Sequence, residues 1–81
     1  MKNMRCFEVT YQPVTNNLPS RVRIKDIRFR KRIMINYDHS LNNIFDMADN
    51  YLKSIGINCE VMGESEKGYF LLTNDFRTEL K

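Results

Sequence analysis

The residues of this chain best suited to binding chemistry lie in segment 21–32, which reads RVRIKDIRFRKR. Seven of these twelve residues are arginine or lysine, and only Asp26 opposes them. Arginine carries a planar fork of N–H donors that matches phosphate and carboxylate oxygens, and lysine carries a compact point charge. The segment predicts a binding surface for an anionic partner, with these candidate residues: Arg21, Arg23, Lys25, Arg28, Arg30, Lys31 and Arg32.

The positive charge of the chain is concentrated in this one segment. Residues 21–32 carry seven basic and one acidic side chain, a net charge of +6, whereas the other 69 residues carry six basic and nine acidic ones, a net −3. A focused patch is a stronger sign of an anionic partner than a diffuse excess of charge. The expected partner is therefore a nucleic acid, RNA or DNA, or a ribonucleoprotein.

The spacing of a strand suits a nucleic-acid backbone. Alternate residues on one side of a strand lie about 6.5–7 Å apart, close to the spacing of phosphates along a nucleic-acid strand. Tyr11 and Tyr37 could add stacking surfaces if they face the same way. The same residues could instead dock on an acidic protein surface, or form a solvated strand face that binds nothing.

Alternation along the segment changes phase near Asp26. The apolar residues at 22 and 24 are followed by apolar residues at 27 and 29, and a strand changes parity only through an extra residue or a turn. We predict a bulge or tight bend at Lys25-Asp26, beyond which Arg28 and Arg30 return to the basic side. If two short strands meet near Asp26 instead, the basic residues are divided among surfaces.

Residues that could support catalysis or bind a metal are few. His39 is the only histidine, and Cys6 and Cys59 lack the paired spacing of zinc ligands. We expect both cysteines to be free thiols that pack in the core. Asp46 and Asp49 fall on the polar side of a predicted helix, without a pocket to shift their pKa values. We therefore expect no enzyme activity, no catalytic residues, no metal and no cofactor.

The elements that position these residues follow from hydrophobic periodicity. Apolar residues at intervals of three and four predict a helix from Leu41 to Ile55, capped by Asp38 or Ser40 and ended by Gly56 in the left-handed conformation. Alternation and turn residues predict strands over 4–13, 32–37, 57–63 and 69–73. A further strand begins at Arg21 and either continues past the bend at Lys25-Asp26 or divides there.

This element order, β-β-β-α-β-β, predicts a small two-layer α+β domain with a mainly antiparallel sheet and one amphipathic helix on one face. The 81 residues suit a single domain, with a polar tail at 74–81 that frays. No apolar run reaches the roughly 18 residues of a membrane span, and the N-terminal residues lack the apolar segment of a signal peptide. We therefore expect a cytoplasmic protein.

Three stretches together resemble small proteins encoded by bacteriophages and mobile elements. They are YQPVTNNLPSRVRI (11–24), NYDHSLNNIFDMADNYLKSIG (36–56) and GYFLLTNDF (68–76). The resemblance implies a phage accessory protein in the cytoplasm of a bacterial host, a class that includes anti-CRISPR proteins. Such proteins are often short and non-enzymatic, and act by occupying a nucleic-acid or effector surface. The resemblance implies no particular site, activity or cofactor.

The sequence thus predicts a phage-type binding protein that engages a nucleic acid or nucleoprotein through basic strands, such as an inhibitor of a CRISPR-Cas effector. The alternative is a structural or interaction module that forms a homodimer through its open sheet face or a strand edge. In that case exposed apolar residues such as Met34 and Met62 would belong to the interface.

Overall fold

The computed structural model describes residues 3–41 and 43–80. Within them, one antiparallel sheet of five strands is covered on one face by one helix, which confirms the predicted α+β class and element order. The elements are β1 (Arg5–Gln12), β2 (Arg21–Asp26), β3 (Lys31–Asn36), α1 (Ile44–Ser54), β4 (Val61–Glu64) and β5 (Gly68–Thr73). The strands lie side by side in the order β3-β2-β1-β5-β4.

The core lies between α1 and the central strands. In β1, Phe7 and Val9 are fully buried on the helix side, and the register places Ile24 of β2 and Leu71 of β5 beside them. Strand alternation thus directs one apolar row of each central strand at the helix. The buried apolar core is Phe7, Val9, Val22, Ile24, Met47, Ala48, Leu52, Ile57, Leu71 and Leu80.

The helix begins later than the sequence predicts. Its first residue is Ile44, and Asn43 occupies the N-cap position without a side-chain capping bond. Asp38 does not cap the helix, because its Oδ1 accepts hydrogen bonds from the backbone N–H of Ser40 at 2.9 Å and from the Ser40 hydroxyl at 2.6 Å. Asn42, which falls within the predicted helix, lies outside the described residues.

The end of the helix follows the prediction. Gly56 has a φ of 95°, and its N–H donates to the carbonyl of Lys53, while the N–H of Ile57 donates to the carbonyl of Leu52 at 2.8 Å. This pair of bonds is a Schellman motif, which satisfies the last carbonyls of a helix.

The hairpin between β2 and β3 differs from the predicted bulge. Strand β2 ends at Asp26, residues 27–30 form a turn, and β3 begins at Lys31. Asp26 closes the turn, since its Oδ1 accepts the N–H of Phe29 at 3.3 Å. The prediction of a bulged strand is therefore wrong. The change of parity marks a chain reversal between two short strands, which is the alternative that the sequence left open.

The second hairpin matches the prediction in β5 but is shorter in β4. The predicted strand over 57–63 pairs as β4 only from Val61 to Glu64. Ile57 is instead buried in the core, and the N–H of Glu60 donates to Leu72 just before the strand. Residues 57–60 thus connect the helix to the sheet edge.

Residues 74–80 pack against the domain, in contrast to the frayed tail expected from the polar composition of 74–81; Lys81 lies outside the described residues. Leu80 is 1% exposed, and the Arg5 guanidinium donates to the carbonyls of Asp75 at 3.1 Å and Thr78 at 2.7 Å. Hydrogen bonds from the Thr78 hydroxyl and from the backbone N–H groups of Thr78 and Arg77 lower the pKa of Asp75 to about 2. The tail is therefore held by specific acceptors.

Among the described residues, no helix is long and apolar enough to cross a membrane.

Candidate nucleic-acid interface

The sheet surface opposite α1, here called the open face, is not covered by any element of the described chain. Its residues follow from strand alternation and register, which place alternate residues of neighbouring strands on the same side. They are Arg32, Met34 and Asn36 of β3, Arg21, Arg23 and Lys25 of β2, Cys6, Glu8, Thr10 and Gln12 of β1, Gly68, Phe70 and Leu72 of β5, and Val61 and Gly63 of β4.

The open face brings together four of the seven predicted basic residues: Arg21, Arg23, Lys25 and Arg32. Lys31 does not join them, because it pairs with Asp26 in the register and so falls on the helix side. There it forms an ion pair with Glu79. Four of the seven candidate residues thus share the open face, and Lys31 lies on the other side of the sheet.

The other two predicted arginines lie in the turn and point to different places. Arg28 lies over the rings of Phe29 and Phe76, at 5.8 and 5.0 Å from their centroids. Arg30 lines a surface hollow of about 420 Å³ together with Lys25, Ile27 and Arg32. The turn therefore returns Arg30, but not Arg28, to the basic residues of the open face.

Tyr11 and Tyr37 lie on the wrong side of the sheet to stack beside the basic residues. Tyr11 pairs with Val22 in the register and shares the parity of the buried side of β1, and its ring packs edge-on against Tyr37 at 5.7 Å. Its hydroxyl is 2.9 Å from the Ser20 hydroxyl. The aromatic residue that does lie on the open face is Phe70, which pairs with Glu8.

The basic residues of the open face have few acidic neighbours. Arg23 approaches Glu8 at 3.8 Å, where both side chains are about a quarter exposed. Lys25 lies directly opposite Arg32, a juxtaposition of like charges that destabilises a strand pair. Within the described chain, no acidic side chain forms an ion pair with Arg21, Lys25 or Arg32. The surface therefore holds cationic charge that is not neutralised internally.

Two donors on this surface lack acceptors. The Nε atoms of Arg21 and Arg23 are shielded from solvent and have no hydrogen-bond partner among the described residues. A buried N–H without an acceptor costs free energy, which an incoming anionic oxygen can recover. Both arginines thus favour a ligand rich in acceptor oxygens.

Neither cysteine is poised for nucleophilic chemistry in this arrangement. Both thiols are free and half-buried, with Cys59 packed against the core and Cys6 on the open face. Burial raises the pKa of Cys59 to about 11, and burial together with Glu8 raises the pKa of Cys6. Both groups are therefore protonated thiols at neutral pH, whereas the thiolate is the nucleophile.

The described residues do not form a set of side chains that could bind a metal ion. His39 packs against the Tyr37 ring at 5.0 Å, and no hydrogen bond within the described chain joins it to a cysteine. Across residues 3–41 and 43–80, no group of three or more histidine, cysteine, aspartate or glutamate side chains could hold a metal ion.

No protein-family model, curated protein or solved structure shows significant similarity to this chain.

Proposed function

We propose that this chain is a non-catalytic protein that binds a nucleic-acid strand, either free or exposed in a nucleoprotein, through a basic surface. This basic surface consists of Arg21, Arg23, Lys25, Arg30 and Arg32. The observation that carries the proposal is the convergence of four of these cations on one uncovered sheet face, with Arg30 beside them and Glu8 as the acidic side chain in contact with the group.

Such a surface suits a polyanion because an extended chain of phosphates can bind to an open surface without an enclosed pocket. Each phosphate that it neutralises releases condensed counterions, and this release drives binding without regard to sequence. The free Nε donors of Arg21 and Arg23 add hydrogen bonds to phosphate oxygens. Phe70, two strands away from β2 on the same face, offers a ring on which a base can stack.

The resemblance to phage and mobile-element proteins suggests a setting for this binding. In that setting the protein acts in the bacterial cytoplasm and occupies the nucleic-acid channel of a host-defence effector such as a CRISPR-Cas complex. The basic surface would block such a channel by competing for the guide or target strand, or would bind a strand that the effector exposes.

Binding of labelled single-stranded RNA and DNA across a salt series tests the proposal. Contact with about four phosphates gives a log–log salt slope near −3, and Arg21/Arg23→Ala reduces its magnitude by about 1.4. The matched control is Lys53/Lys67→Ala, which removes equal charge from outside the basic surface and leaves the slope nearly unchanged. Absence of binding at low salt by wild type, to RNA, DNA or a ribonucleoprotein, contradicts the proposal.

A homodimer remains the second candidate, because the β4–β5 half of the open face is apolar. Val61 is 49% exposed there, next to Leu72 in the register. Met34 and Met62 do not share one interface, since Met34 lies on the open face and Met62 pairs with Leu71 on the helix side. The mass in solution separates the candidates: a dimer has twice the 9.7 kDa of the chain.

A further inference from the structure

The hollow beside the β2–β3 turn is lined almost entirely by cations. Its walls are Lys25 of β2, Ile27 and Arg30 of the turn, and Arg32 of β3, and its volume is about 420 Å³. Ile27 is 44% exposed and supplies an apolar wall. A hollow of this size accommodates a phosphate group with the sugar that carries it.

The charges around the hollow are not balanced by the protein. Lys25 and Arg32 lie directly opposite one another on neighbouring strands. Among the described residues, Lys25, Arg30 and Arg32 take part in no ion pair. Three converging cations repel one another, so an anion bound between them relieves a cost that the free protein carries.

Arg30, which lines this hollow, has an unusual backbone conformation. Its φ is 55°, and among the described residues other than glycine, Arg30 alone has a positive φ. The left-handed conformation costs an L-residue free energy that glycine avoids, and such residues cluster at ligand-binding positions. An arginine stands where a glycine would be more stable, and its side chain lines the cationic hollow.

We propose that this hollow binds a phosphate monoester at one end of a nucleic-acid strand, an inference that rests on the proposed function. A monoester carries a charge near −2 at neutral pH, whereas a backbone phosphodiester carries −1. Three cations therefore match a terminal phosphate better than an internal one. The hollow also lies where β2 ends at the turn, so the end of a nucleic-acid strand that lies along the basic surface from Arg21 can reach it.

Three oligonucleotides of one sequence test this inference: one with a 5′-phosphate, one with a 3′-phosphate and one with hydroxyl groups at both ends. Wild type is expected to bind one phosphorylated form about tenfold more tightly than the hydroxyl form, the gain of one charged hydrogen bond or more. Arg30→Gly is expected to abolish this preference. It should also weaken the hydroxyl form, because Arg30 belongs to the basic surface, so the three forms then bind equally but less tightly than to wild type. Arg21→Ala, the matched control, weakens all three forms by a similar factor.

Folding of the variants is checked by thermal unfolding. Arg30→Gly is expected to melt at or a few degrees above the wild-type temperature, because it relieves the positive φ. Lys25→Gln leaves the turn unchanged and provides a second variant that should lose the same preference. Equal affinity of wild type for the three forms overturns this inference and leaves the proposed function standing. Absence of binding to every form overturns both.

Discussion

At the scale of single residues, Arg5 is a basic side chain that lies outside the binding surface but supports it. Its Nε and Nη2 donate to the same Asp26 oxygen at 3.2 and 2.6 Å, and both side chains are 1% exposed. The guanidinium lies between the rings of Phe7 and Phe29, at 4.8 and 4.9 Å. Because Asp26 also closes the turn, this buried pair fixes the turn that carries Arg30.

Asp26→Asn should be strongly destabilising. The substitution leaves the Arg5 charge buried without its counterion, and breaking a buried pair in this way costs about 3–5 kcal/mol. Urea unfolding measures the loss. Replacing both partners together, as Arg5→Met with Asp26→Leu, should recover a large part of it, because no buried charge then remains unpaired.

Lys31→Ala is the control for this comparison. It removes the exposed pair with Glu79, whose side chain is 65% exposed, and such pairs contribute less than about 1 kcal/mol. A loss of stability for Asp26→Asn no greater than that for Lys31→Ala would mean that the buried pair does not hold the turn.

At the scale of elements, local periodicity predicts the helix and most strands, whereas it does not predict a turn that depends on contacts between residues distant in sequence. The helical stripe, Gly56 and strand β5 all follow from local pattern. The change of parity near Asp26 fits a bulge and a reversal equally well, and the choice depends on Arg5, a partner 21 residues away. The face of Tyr11 was predictable, since Tyr11 shares the parity of Phe7 and Val9.

The two glycines of the second hairpin give a prediction at this scale. A Cβ at Gly68 would lie 2.0 Å from the Val9 carbonyl oxygen of β1, whereas a Cβ at Gly63 would have no atom within 4 Å. Gly68→Ala should therefore push β5 from β1 and cost about 1–3 kcal/mol or more. Gly63→Ala, on the neighbouring strand, should leave stability unchanged or slightly higher. Equal melting temperatures for the two variants would contradict the close packing at Gly68.

At the scale of the whole molecule, charge is separated along the order of the strands. The basic surface lies at the β2–β3 edge of the sheet. Acidic residues are concentrated near the other edge, around β4 and α1: Asp46, Asp49, Glu60, Glu64 and Glu66. From β3 to β4 there are four strand spacings, or about 19 Å. This separation lets a polyanion approach from one side with little repulsion from the other.

Glu64/Glu66→Gln measures how far the acidic side is felt. At about 10 mM salt the Debye length is near 30 Å, so loss of two negative charges should speed association with single-stranded nucleic acid. At about 150 mM salt the Debye length is near 8 Å, and the rate should equal that of wild type. Stopped-flow association at both concentrations gives the answer. An equal acceleration at both would place these acids in direct contact with the ligand.

The hydrogen bonds of Arg5 also set the order in which the chain can fold during synthesis. Its carbonyl acceptors lie 70 and 73 residues downstream, and β1 needs β5 as its second neighbour. A ribosome that adds about 5–20 residues per second needs about 4–14 seconds to cover this distance. Over that interval the nascent chain can pair β1 with β2 and β2 with β3, but β1 still lacks its pairing with β5. The basic turn is thus among the earliest parts made and among the last to be locked.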